Sequence, residues 1–252
     1  MKNKLTELCC SNKVPVREVK REDWDLYGTQ TFDEDYLVKS MAEIDGFLDG
    51  NVIVMGGFCA CSKILGYRPM RRASNDLDCI TNEEGFYLLN KHFNGQIFQN
   101  SAFGDLFLEY NKIPVGFDIG ETHDWEIPKE FIDDAKTFNF SCGKITSISP
   151  EFLIALKARR SILKKRFYGK DALDTANMVL APIYRTDLSQ IDLSKLSSLF
   201  REHSTDSFDD LDEYLKFVSS HSRDLKIKEK PLFEERMSSI QDCAKKVYAK
   251  SY

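Results

Sequence analysis

No run of about 18 consecutive apolar residues occurs in this 252-residue chain, so the length a helix needs to cross a bilayer is missing. The first residues, MKNKLTELCCSNK, carry charge where a secretory leader needs an unbroken apolar stretch, and the expectation is a cytoplasmic protein with no membrane partner. Seven cysteines (Cys9, Cys10, Cys59, Cys61, Cys79, Cys142, Cys243) are an odd number with no Cys-x-x-Cys pair. That argues against a complete disulfide framework and a zinc ribbon, and points to reduced thiols, several of them small core residues. The four histidines, His92, His123, His203 and His221, are scattered and form no ligand motif. There is no Gly/Pro-rich or single-residue tract and no internal repeat, which sets aside disorder and solenoids. A net charge of −5 sets aside a general nucleic-acid binder with a uniformly basic surface, while leaving room for a local basic patch.

What is present is an ordinary globular composition, 42% apolar, 12% aromatic and 30% charged, long enough to bury a substantial core. The pattern predicts a lead-in over 1–32, a mixed α/β domain over 33–148 and an all-α domain over 149–252. Asp33 reads as the N-cap of a helix carrying Leu37, Met41, Ile44 and Leu48, which Asp49-Gly50 ends. Val52 to Met55 is a short apolar run suited to a strand buried on both faces, and Gly56-Gly57 breaks it. A short helix over Phe58 to Leu65, a strand over Leu77 to Ile80 and a helix from Glu83 to about Phe93 follow. Strands are expected over Gln96 to Gln99, Leu106 to Tyr110 and Ile113 to Ile119, with Asn111-Lys112 turning the chain between the last two. From Pro150 the spacing becomes helical, with Ser149 as cap, and further helices are expected over 170–180, 191–202, 209–218 and 231–249.

The chemistry concentrates in VIVMGGFCACSKILGYRPMRRASNDLDCI, residues 52 to 80. Gly56 and Gly57 let backbone approach a phosphate closely, and N–H groups at the start of the following helix favour an anion. Asp76 and Asp78 are two residues apart, so on a strand their carboxylates leave the same face and can converge on hard cations. Asp118, in Pro-Val-Gly-Phe-Asp-Ile-Gly, fits a third carboxylate on a neighbouring strand, with Val115, Phe117 and Ile119 facing the core; Asp105 and Glu109 on the preceding strand are alternatives to it. Alone, Gly-Gly after a strand is usually a turn and Asp-x-Asp is common on exposed segments; it is their order together that points to a two-metal site.

Strand, Gly-Gly, Asp-x-Asp and a later strand Asp resemble the DNA polymerase beta-like nucleotidyltransferase superfamily, and the layout is most similar to its AbiEii-type toxin and small antibiotic-modifying branches. SPEFLIALKARRSILKKRFYGKDALD, residues 149 to 174, is similar to the Lys-bearing helix and Lys-Asp-x-x-Asp motif of AbiEii-type domains, so the resemblance spans roughly 36 to 180. It implies a nucleotidyltransferase-type mixed sheet with flanking helices (α/β, α+β), followed by a helical domain, with the active site in the cleft between the two. By position it implies phosphate-loop glycines at Gly56 and Gly57, metal ligands at Asp76, Asp78 and Asp118, and a motif lysine at Lys157 with Asp171 and Asp174 behind it. It also implies Mg²⁺, replaceable by Mn²⁺, a nucleoside triphosphate such as ATP, an RNA, tRNA or protein acceptor, and an antitoxin-like protein partner. Many members have Ser or Thr after the glycines; Phe58 stands there in this chain and weakens the triphosphate contact.

Arg68, Arg71 and Arg72 lie between the glycines and Asp-x-Asp, where a guanidinium can fork onto phosphate oxygens or simply be solvated. Seven basic residues and no acid lie between Lys157 and Lys170; they read either as a solvated helix end or as an attraction for phosphates, with Lys157 the strongest candidate. Asp171 and Asp174 have Lys170 and Arg166 near them for ordinary ion pairs, and the alternative is that Asp174 orients Lys157.

Overall fold

The computed structural model describes residues 4–17, 32–66, 74–100, 106–119, 133–185, 187–203, 208–226 and 228–249. The chain divides into two compact units, one formed by Met1–Phe58 with Ala73–Ile148, the other by Cys59–Arg72 with Ser149–Tyr252.

The first unit is built on an 8-stranded mixed sheet in the order β1-β4-β5-β6-β3-β2-β8-β7. Its strands are β1 (Val16–Arg17), β2 (Val52–Met55), β3 (Leu77–Thr81), β4 (Phe98–Asn100), β5 (Leu106–Tyr110), β6 (Ile113–Ile119), β7 (Lys136–Phe140) and β8 (Gly143–Ser147). β3 runs parallel to β6 and antiparallel to β2, so the apolar run Val52–Met55 sits near the middle of the sheet, as a strand buried on both faces must. The β5–β6 hairpin turns at Asn111 and Lys112, both with positive φ (53° and 63°), the pairing that matches strand twist.

Among the described residues four helices precede or interrupt the sheet: α1 (Lys4–Ser11), α2 (Glu34–Phe47), α3 (Gly56–Cys61) and α4 (Glu83–His92). The side chain of Asp33 caps α2 by accepting from the N–H groups of Asp35 and Tyr36 (2.9 and 3.2 Å), and Asn82 caps α4 through Gly85 N–H. α2 buries Leu37, Met41 and Ile44 against the sheet, with the Cys79 thiol of β3 3.7 Å from Met41 Sδ. That contact fixes which face of β3 looks at the helices.

Several elements differ from the sequence expectations. α1 and β1 lie in the segment read as a lead-in, β4 starts at Phe98 rather than Gln96, and the β7–β8 hairpin was not anticipated. The helix after β2, α3 (Gly56–Cys61), starts at the first glycine and stops four residues before Leu65. It stops because Leu65 N–H turns back to the Cys59 carbonyl and the Ser62 hydroxyl takes the Ile64 N–H, local bonds that compete with a continuing helix.

The second unit is all-α: α5 (Pro150–Leu163), α6 (Gly169–Tyr184), α7 (Leu193–His203), α8 (Phe208–Ser220) and α9 (Lys230–Ala249). Pro150 occupies the first turn of α5 as predicted, but Ser149 makes no side-chain cap; its hydroxyl instead accepts from Lys195 Nζ at 3.1 Å. Residues 59–66 belong to this unit because Arg185, just past α6, donates to the Ile64 and Gly66 carbonyls, both at 3.3 Å. Leu153, Ile154, Leu196, Phe200, Leu211, Tyr214, Phe233 and Met237 form its core. Among the described residues no helix is long and apolar enough to cross a membrane.

Candidate active site

Strand alternation places the site. Cys79 points at α2, so Asp78 must point to the opposite face, where it is exposed. The ladder sets Asp78 between Met55 on β2 and Gly116 on β6. A glycine flanks this carboxylate on each side, and the one on the β2 side is required by space. Gly56, the residue after Met55, has φ +73°, and a Cβ built on it would overlap Asp78 Oδ2. A Cβ on Gly116 would come 3.9 Å from Asp78 Oδ1 and 3.6 Å from Cζ of Phe107. The carboxylate therefore stands in a slot between two backbones.

Asp76 lies just before β3 on an exposed segment whose backbone carbonyl accepts from the Ser74 hydroxyl (3.2 Å). Asp118 pairs in register with Ile80, one two-residue step along the face from Asp78. Val115 and Phe117 are buried and Asp118 is half-exposed, so the expected alternation along β6 holds. Asp78 and Asp118 thus share a face but form a diagonal, with about 8 Å between their backbones, and Asp76 lies outside the ladder. Among the described residues no three His, Cys, Asp or Glu side chains stand close enough to hold a metal ion by themselves. Two strand carboxylates that leave the remaining positions to phosphate oxygens and waters still match the way Mg²⁺ is held. Their hard oxygen donors are of the kind that ion takes.

Two predicted contacts need correction. The Phe58 side chain is 1% exposed, sealed in the core, so at this position only backbone could meet a phosphate. Lys157 is 6% exposed rather than presented to solvent. Its Nζ lies 2.8 Å from Asp174 Oδ2 and 3.2 Å from Asp171 Oδ1, with Arg160 Nε 4.0 Å from Asp171 Oδ2. Asp174 is fully buried and engaged by that lysine, so the pairing of Asp171 and Asp174 is with Lys157 and not with Lys170 or Arg166. The cluster continues through Thr175, whose hydroxyl meets Tyr214 Oη at 2.9 Å; burial pushes the Tyr214 phenol far above its ordinary value. Of the remaining basic residues, Arg160 and Arg166 lie over the Tyr168 ring, 5.3 and 5.0 Å from its centre, and Lys164, Lys165, Arg166 and Lys170 are exposed. Arg68, Arg71 and Arg72 lie outside the described residues, as does Asp105. Glu109 is on β5 opposite Pro114, one step off the Asp78 rung.

Gly116 and Phe107 escaped the sequence reading. The signal for Gly116 was in the alternation of Pro-Val-Gly-Phe-Asp-Ile-Gly, which puts it on the same face as Asp118.

Residues 104–208 match the family described as "Nucleotidyl transferase of unknown function (DUF2204)". The matched span holds Asp118 and the Lys157–Asp171–Asp174 cluster and does not reach Gly56-Gly57 or Asp76 and Asp78. No curated protein matches the sequence. Among solved structures, an antigenic nucleotidyltransferase-like protein from Paracoccidioides brasiliensis is 18% identical, covering 69% of this chain and 89% of its own, with a TM-score of 0.49. A Helicobacter pylori protein with a nucleotidyltransferase assignment is 16% identical over 88% of this chain and 96% of its own (TM-score 0.43). JHP933 from Helicobacter pylori is 17% identical over 86% and 91% (TM-score 0.40).

Proposed function

We propose that this chain transfers a nucleoside monophosphate from a nucleoside triphosphate to an acceptor hydroxyl, releasing pyrophosphate. The observation that supports this most is the contact of Gly56 with the Asp78 carboxylate, which puts a side-chain-free backbone turn and an exposed acid at one point. Glycine is required there both by the positive φ of the turn and by the closeness of the acid. In this reading the backbone at Gly56 and Gly57 receives the triphosphate, and Asp76 and Asp78 present oxygens toward its phosphate-bound cation. Mg²⁺, or Mn²⁺ in its place, would neutralise charge on the triphosphate and the leaving pyrophosphate. Asp118, on the side of Asp78 away from Gly56, accepts the proton of the acceptor hydroxyl. The hydroxyl oxygen forms a bond to the α-phosphorus while the bond from that phosphorus to the bridging oxygen breaks, and pyrophosphate leaves with the electron pair. Lys157, Asp171 and Asp174 hold the helical unit together and take no part in this step.

Calorimetric titration with each nucleoside triphosphate, with and without Mg²⁺, tests the site. The expected result is Mg²⁺-dependent binding of at least one triphosphate, weakened about tenfold or more, or 1.4 kcal/mol, in Asp78→Asn. Equal Mg²⁺-dependent affinity in that variant would remove Asp78 from the site.

A further inference from the structure

One end of the helical unit gathers the turn between α5 and α6 and the connection from α8 to α9. The Phe167 ring, just before α6, stacks on Phe217 near the end of α8, with centres 5.6 Å apart and planes inclined by 27°. A 3₁₀ turn over His221–Asp224 follows α8 and packs against α6, α8 and α9, so α9 begins beside it. In a chain of net charge −5 this end is basic: Lys164, Lys165, Arg166 and Lys170 on the first connection and Lys226 and Lys228 on the second are exposed. Of the acids in 221–230, Asp224 and Glu229, the second is 1% exposed and its carboxylate accepts from Lys226 N–H at 3.1 Å. Among the described residues Leu163 and Leu232 are the two exposed leucines, 63% and 39%, and both lie here, on the last turn of α5 and the first of α9.

The end of α5 carries a second peculiarity. Lys165 N–H bonds the Ile162 carbonyl (2.9 Å) and Arg166 N–H the Ser161 carbonyl (3.0 Å), the pair of bonds that closes a helix around a left-handed residue. Glycine is at ease in that position; Lys165 takes it at φ +46°. A strained position thus holds a charge where the residue that would relieve the strain holds none.

We propose that this end of the helical unit is a peripheral docking surface for an anionic phospholipid membrane. Lysines and arginines meet the phosphate and serine headgroups, while Leu163 and Leu232 enter the boundary between headgroups and acyl chains. Charge alone would suit any polyanion. The leucines decide between them: an aliphatic tip gains nothing from a phosphate backbone in water, and it gains most in hydrocarbon. They stand at the ends of two helices rather than along one groove, which suits a yielding flat surface better than a partner helix. Docking of this kind needs no spanning helix, and it departs from the expectation of no membrane partner that the missing apolar run suggested.

The test is flotation of the full-length protein with vesicles of phosphatidylcholine alone and of phosphatidylcholine with phosphatidylserine at about two to one. Binding should appear with the anionic vesicles, be weak with the neutral ones and fall as salt rises. Lys164→Gln combined with Lys228→Gln should weaken it about tenfold or more, and Lys245→Gln, about 22 Å along α9 from Lys230, should leave it unchanged. Leu163→Ser should weaken it about tenfold without altering the salt dependence. Lys165→Gly separates charge from folding: it should keep or raise the urea midpoint while weakening vesicle binding about fivefold. No binding to anionic vesicles, equal binding to neutral ones, or binding unaltered in Leu163→Ser and Lys165→Gly overturns the proposal. RNA or polyglutamate held by the same lysines without regard to Leu163, with no vesicle bound, would assign this end to a soluble polyanion and overturn it as well.

Discussion

Asp45 on α2 is 8% exposed, and among the described residues its Oδ1 has no hydrogen-bond partner. Burial raises its carboxyl from the ordinary 3.8 to about 6, against a smaller opposing pull from the Lys144 ammonium on β8. An acid whose pKa is raised by folding is better tolerated protonated. The folded state therefore gains from Asp45 below about pH 4 and loses that gain as pH rises toward 6, by on the order of 2 kcal/mol. Asp45→Asn, which keeps the shape and removes the titration, should raise the urea midpoint at pH 7 by an equivalent amount and flatten stability between pH 4 and 6. A variant less stable than the parent at pH 7 would show that the ionised carboxylate has a stabilising partner. Phe58 makes a related point about single residues: its ring sits in the core, so in the proposed phosphate contact this position could offer backbone only.

Among the elements, the α5–α6 pair depends on one buried lysine. Lys157 Nζ faces two carboxylates on α6, and removing it leaves Asp171 and Asp174 buried, with Arg160 Nε 4.0 Å from Asp171. Breaking such a pair costs about 3–5 kcal/mol, whereas replacing the whole set by apolar groups is often neutral. Lys157→Met should therefore lower unfolding free energy in urea by that amount, and the double variant with Asp174→Asn should recover part of it. A loss below about 1 kcal/mol would mean the charges are solvated. This pairing was only half legible in the sequence. Lys157 begins a run of seven basic residues, which reads as a solvated face or an attraction for phosphates, and Asp174 orienting Lys157, the alternative to ion pairs with Lys170 and Arg166, is the one that the structure shows. The central strands were legible because each carries its own signal: Val52–Met55 is too short and too apolar for anything but a buried strand, and Asn111-Lys112 supplies the positive φ of a hairpin turn. The β7–β8 hairpin gave no such signal. Its first strand, Lys-Thr-Phe-Asn-Phe, lies at the sheet edge with no fully buried residue, so only tertiary pairing defines it.

At the scale of the whole molecule, a mixed sheet brings residues from distant parts of the chain to one slot: Gly56, Asp78 and Gly116 meet because β2, β3 and β6 are neighbours in an order the sequence does not spell out. Asp-x-Asp and Gly-Gly were visible as motifs; that Gly116 stands opposite Asp78, and that Phe107 and Phe98 extend its rung, depends on strand order and register, which follow from the complete sheet. Nucleotidyl transfer through that slot, as proposed, depends on Mg²⁺ and on Asp78. The direct measurement supplies nucleoside triphosphates labelled at the α-phosphate to the full-length protein with Mg²⁺, single-stranded oligonucleotide, total RNA, protein and aminoglycoside acceptors, and compares it with Asp78→Ala. Label on an acceptor that falls by about 10²–10³ or more in the variant is the predicted result. Label transferred equally by Asp78→Ala, or triphosphate bound with Mg²⁺ and label passed to no acceptor, would contradict it, the latter leaving a nucleotide-binding module in place of an enzyme.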